Sequence, residues 1–150
     1  MDKKEFKKAL ENVLGQYGFK YYSQQKTYYH FSNDLITAVD IQKSDYADYY
    51  YINYGFRIVE PEDTVKFPKV HNGCDVSARF VFDYKNGKKA NSIIYIDALS
   101  IESFSDLASK FIEKEILPVI EKGINELFII DHTATNRFNL RGKRLLGLPE

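Results

Sequence analysis

The stretch from Leu35 to Val59 restricts the possible folds more than any other part of the chain. Its first run places Leu35, Thr37, Val39 and Ile41 at alternate positions; its second does the same with Tyr50, Ile52, Tyr54, Phe56 and Ile58. A period of two marks a strand with one buried face. Two such runs joined by a short loop predict an antiparallel hairpin. Its register follows, because a slip of one residue would turn one apolar set to water. Aligning the apolar faces sets Lys43 opposite Tyr50, Gln42 opposite Tyr51 and Asp40 opposite Asn53. The other face then carries Asp40, Gln42, Tyr51, Asn53 and Arg57, a surface both polar and aromatic.

The flanking segments read in the same way. Phe6, Leu10, Val13, Leu14 and Tyr17 recur at helical spacing, so a helix is expected over Asp2–Tyr17, opened by an Asp2/Glu5 capping box and stopped at Gly15 or Gly18. Phe19–Phe31 predicts two short strands with a turn near Gln24–Lys26. Glu60–Asp75, with Pro61, Pro68 and Gly73, reads as a long loop. Val76–Asp97 predicts a second hairpin around an Asn86-Gly87 turn, pairing Phe80 with Ile93 and Ala78 with Tyr95 and leaving Arg79, Val81, Ile94 and Ile96 on the outer face. A further helix is expected from a cap at Ser103 or Ser105, interrupted at Pro118, which has no N–H to donate. The expected core includes Phe6, Leu10, Val13, Val39, Ile41, Ile52, Tyr54, Phe56, Phe80, Phe82, Leu107, Phe111 and Ile120.

These elements predict an α+β fold: an antiparallel sheet of five or six strands with an N-terminal and a C-terminal helix packed mainly on one face. Residues 1–130 form the expected domain and residues 131–150 a basic tail carrying Arg137, Arg141, Lys143 and Arg144. The 21 basic and 21 acidic residues cancel, which removes the long-range attraction that draws proteins to nucleic acid. A single cysteine, Cys74, allows no internal disulfide and suits a reducing compartment. With no apolar run near the ~18 residues of a membrane span and no leader-like N-terminus, a cytoplasmic protein is expected.

No stretch carries the pattern of a specific reaction. His71 and Cys74 have the spacing of a half zinc site, but a structural zinc takes about four ligands and no second cysteine exists. Cys74 as a nucleophile would need a histidine base beside it. Asp131-His132 suggests an acid–base pair, yet sequence neighbours seldom face each other, and a histidine after a helix more simply complements its dipole. Asp40 and Asp97 are the strand acids a hydrolase would use; a polar network with Arg57 or Arg79 is the ordinary role of such groups. Phosphate-cradling glycine motifs are absent. The surplus is aromatic: 12 Tyr and 11 Phe without Trp. Tyr46, Tyr49 and Tyr51 cluster at the hairpin tip, and Tyr and Arg are favoured interface anchors. The candidate binding residues are therefore Asp40, Gln42, Tyr46, Tyr49, Tyr51, Asn53, Arg57 and Arg79, with another protein as the expected partner and no catalytic residue, cofactor or metal. Small-ligand or single-stranded nucleic-acid binding by the same aromatic face is the alternative.

Gly18-Phe19-Lys20, Thr27-Tyr28-Tyr29, Ile41-Gln42-Lys43-Ser44, Tyr51-Ile52-Asn53 and Leu117-Pro118 together resemble the spaced signature of a bacterial domain-of-unknown-function family. The likeness runs over residues 3–128. It implies a small α+β bacterial protein without an established activity and assigns no catalytic residues.

Overall fold

A computed structural model describes residues 1–84 and 91–150 of the chain. Asp2 opens helix α1 (Lys3–Gln16): its carboxylate accepts from the Glu5 N–H at 2.8 Å, and the Glu5 carboxylate accepts from the Asp2 N–H at 3.1 Å. Two otherwise unpaired donors are thereby satisfied. Phe6, Ala9, Leu10, Val13 and Leu14 form the buried stripe. Gly18, at φ +87°, turns the chain out of the helix.

Five strands follow as an antiparallel meander in chain order: β1 (Lys20–Tyr22), β2 (Thr27–Phe31), β3 (Leu35–Lys43), β4 (Tyr50–Ile58) and β5 (Val76–Arg79). The β3–β4 pairing runs from Leu35 opposite Ile58 to Lys43 opposite Tyr50, with Asp40 facing Asn53. This is the register expected from aligning the two apolar faces. One sheet face packs on α1 and on helix α3 (Ile101–Phe111), which gives the expected α+β architecture. Phe6 meets Tyr50 and Phe104 at ring distances of 5.2 Å, and Phe80 stacks on Phe111 at 4.5 Å. Of the expected core, Ile41, Leu107, Phe111 and Ile120 are only partly buried and pack around the rest.

The second hairpin departs from expectation. Phe82 does bridge Asn91 in the anticipated register, but Ala78 pairs with Tyr54, and the Phe80 N–H donates to the Ile52 carbonyl at 2.8 Å. Ile94 bridges Tyr50 instead of continuing opposite β5. The reason is burial. Ile94 and Ile96, assigned to the outer face by alternation, both enter the core, and a 3-10 turn at Ile96–Ala98 replaces the end of the strand. The Asn86-Gly87 turn lies outside the described residues.

Ser100, rather than Ser103 or Ser105, caps α3, its hydroxyl accepting from the Ser103 N–H at 3.0 Å. The interruption at Pro118 takes the form of a π-helical turn, Ile112–Ile116, in which the Leu117 N–H reaches the Ile112 carbonyl. Helix α4 (Leu117–Lys122) then ends at Gly123, φ +102°. Helices α5 (Glu126–Ile130) and α6 (Leu140–Leu146) complete the chain. Residues 131–150 lie on the domain: Phe138 is buried, stacks on Phe128 at 5.6 Å and bridges Val76.

The Glu60–Asp75 excursion decides which part of the second sheet face is open. Its short turn α2 (Val70–Gly73), in which His71 and Asn72 depart from helical backbone angles, brings Val70 and Cys74 onto Tyr29, Ile36 and Ala38, forming a smaller second core. Gly55 permits this approach. A Cβ there would lie 2.7 Å from Cys74 Cβ and 2.9 Å from its sulfur. Arg57 turns into the excursion, with Nε and Nη2 each 2.9 Å from an Asp63 oxygen and Nη1 2.7 Å from the Gly73 carbonyl. Arg141 of α6 joins the group at 2.6 Å from Asp75 and 3.2 Å from Asp63. Arg57, first among its neighbours, holds the Asp63 carboxyl down at about 2.

Candidate functional site

The half of the second face beyond the excursion remains open, and β3, β4 and β5 build a connected polar surface on it. Cross-strand pairing sets Asp40 beside Asn53 and Gln42 beside Tyr51, while Asn53 faces Arg79 of β5. The Asn53 amide nitrogen donates to Asp40 Oδ1 at 2.9 Å and to Gln42 Oε1 at 3.1 Å. Asn53 is buried, so these bonds offset its desolvation, although its own carbonyl oxygen finds no partner among the described residues.

Above this network, the Arg79 guanidinium sits 3.7 Å from the centre of the Tyr51 ring. The ring's negative face attracts the cation, and the contact orders two side chains that would otherwise sample many rotamers. Tyr49 packs edge-on against Tyr51 at 5.5 Å and against Tyr95 at 5.6 Å. Hydrogen bonds from Ser44 and then Tyr51 lower the Tyr49 pKa, whereas the bond to Tyr49 raises that of Tyr51. The three rings and the guanidinium thus form one semi-rigid patch.

The Ser44–Tyr49 loop projects from the end of that patch. The Ser44 N–H donates to the Tyr49 carbonyl at 2.9 Å and the Ser44 hydroxyl accepts from the Tyr46 N–H at 3.1 Å, which closes the tip. Tyr46 is 95% exposed, and Asp45 and Asp48 beside it are exposed as well.

Asp40, Gln42, Tyr49, Tyr51, Asn53 and Arg79 therefore come together, and Tyr46 stands at their edge. Arg57 shares the face but is drawn away by Asp63 and Gly73. Tyr95 belongs to the patch and escaped sequence reasoning, because alternation along a continuous second hairpin places it opposite Ala78. The remaining chemical candidates are dispersed. Cys74 is 6% exposed, and burial pushes its thiol up to about 12, which leaves it protonated near neutral pH. Asp131 bonds Thr133 and Arg137 rather than His132. Asp97 lies exposed in the 3-10 turn while Asp40 serves Asn53. Among the described residues, no group of three or more His, Cys, Asp or Glu could hold a metal ion, and no helix is long and apolar enough to cross a membrane.

A family model for a domain of unknown function matches residues 10–122. The matched region spans most of α1, the whole sheet and the helices through α4, and so includes the patch. No curated protein and no solved structure matches the chain.

Proposed function

Because the chain belongs to the DUF4304 family, which carries no known activity, we propose its role from geometry: a non-enzymatic module that binds another protein through the β3–β4 tip. The observation that carries this reading is the projecting tip itself. Tyr46 is almost wholly exposed at the end of a patch in which Tyr49, Tyr51, Tyr95 and Arg79 are already ordered. Preordered aromatic side chains lose little further entropy on binding, which makes them efficient anchors. Asp45 and Asp48 flank Tyr46 and have no cationic partner among the described residues. A partner with a basic, concave surface complements such a tip in both charge and shape.

The test places a photo-crosslinking phenylalanine analogue at position 46 and, in parallel, at position 129, where Ile129 is also exposed on α5. A partner joined from position 46 and not from 129 is expected. Its affinity for the purified protein should fall about thirtyfold when Tyr46 and Tyr49 are both changed to Ala, as for an anchor worth about 2 kcal/mol. Equal capture from both positions, or full affinity in the double variant, would overturn the reading.

A further inference from the structure

A second site lies on the other side of the sheet, where α1 passes over the loop end of the β3–β4 hairpin. A cleft of about 280 Å³ runs between the helix and the strands. Lys3 and Lys7, one helical turn apart, line one wall; Lys26 from the β1–β2 turn and Lys43 from the end of β3 line the other. None of these lysines has a carboxylate within 4.0 Å among the described residues, although the chain as a whole is neutral. Glu11 is the lone acid in the lining. Four ammonium groups against one carboxylate give the cleft a net positive charge, which attracts an anion.

Two further features make this a shaped site rather than a charged surface. Tyr28 and Tyr50 are only 5% and 4% exposed, yet both line the cleft; their hydroxyls make no hydrogen bond among the described residues and are not buried, so a ligand can reach them. Burial above all, with Glu11 nearby, pushes Tyr28 up to about 12, so its hydroxyl keeps its proton and is free to donate. Tyr21, 40% exposed and 4.8 Å from the Tyr28 ring, offers an open aromatic face at the rim.

We propose that this cleft binds a nucleoside polyphosphate, its phosphates held by Lys3, Lys7, Lys26 and Lys43 and its base against Tyr21. Several ammonium groups around one cleft suit a ligand that carries several negative charges close together, as a polyphosphate does, and each acts on it as a mobile point charge. The cleft lies near the lower limit of small-molecule sites, about 300 Å³, which favours a single nucleotide over a nucleic-acid strand. The site is independent of the tyrosine tip, so either can fail without the other.

Calorimetric titration of the intact protein at low salt with ATP, inorganic tripolyphosphate, adenosine and a single-stranded oligonucleotide tests the assignment. ATP should bind at one site, more tightly than tripolyphosphate or adenosine. Lys7→Gln and Lys43→Gln should each weaken ATP about tenfold, and Glu11→Gln should tighten it. Tyr28→Phe should weaken binding without lowering the Tm, because the hydroxyl it removes has no partner among the described residues. Absence of ATP binding, or binding indifferent to both lysines, would overturn the site. Tripolyphosphate binding as tightly as ATP would remove the base from the proposal. Preference for the oligonucleotide, with a steep salt dependence, would reassign the cleft to a nucleic-acid strand.

Discussion

Arg141→Met tests whether the C-terminal segment is an integral part of this fold. Arg141 Nη1 lies 2.6 Å from Asp75 Oδ2, and Nη2 lies 3.2 Å from Asp63 Oδ2. The Asp75 side chain is completely buried; its Oδ2 also accepts from the Ile58 N–H at 2.8 Å, and its Oδ1 has no partner among the described residues. Methionine keeps much of the aliphatic volume but removes the cation hydrogen-bonded to Asp75, leaving only the more distant charge of Arg57. Breaking a buried pair in this way costs about 3–5 kcal/mol. Two features reduce the figure. Arg141 is 27% exposed, so water reaches the vacated position, and Asp63 retains Arg57. The expected loss is about 2–3 kcal/mol, read from urea unfolding followed by circular dichroism, or a fall in Tm of roughly 5–10 °C. The Arg141→Met/Asp75→Asn double variant should lose less than the sum of the two single changes, by about 1.5 kcal/mol, because the amide can still accept from Ile58 and carries no charge to neutralise. A single-variant loss below about 0.5 kcal/mol, or strict additivity in the cycle, would refute the argument.

Gly55→Ala should destabilise by about 1–3 kcal/mol in the same assay, since its Cβ would meet Cys74 Cβ at 2.7 Å; Cys74→Ala should not rescue it, because the Cβ–Cβ contact survives, and full rescue would show that sulfur was the obstacle. Asp63 titrates at about 2 in the fold against an ordinary 3.8. A depressed carboxyl pKa favours the folded state once ionised, so its stabilisation is present above about pH 4 and disappears as the pH falls through about 2. Asp63→Asn should therefore flatten the dependence of unfolding free energy on pH across that window, and an unchanged slope would contradict it. Cys74, buried with its thiol pushed up to about 12, should react with a disulfide reagent at pH 8 far more slowly in the native protein than in urea; native labelling at the rate of a free thiol would place it at the surface.

Much of this architecture is determined locally, and that part was legible in the residues. Alternation along Leu35–Ile41 and Tyr50–Ile58 excludes any one-residue slip, so the side on which Asp40, Gln42, Tyr51 and Asn53 stand follows from the sequence alone, and the expected β3–β4 register is the one the sheet adopts. The Asp2/Glu5 box is likewise a matter of residues three apart. What residues distant in sequence do to one another is not written in any local pattern. Only the folded chain decides that Ile94 leaves its hairpin for Tyr50, because the gain lies in a cavity formed by other elements. Only packing across Gly55 lets residues 60–75 cover one half of the polar face, drawing Arg57 away and leaving the Arg79–Tyr51 half open. The convergence of Lys3, Lys7, Lys26 and Lys43 is of the same kind: drawn from three separate segments, they share one cleft because α1 crosses the sheet above the strands that carry the others. Periodicity determines which side of an element is buried; tertiary packing determines which exposed groups become neighbours, and binding chemistry depends on the second.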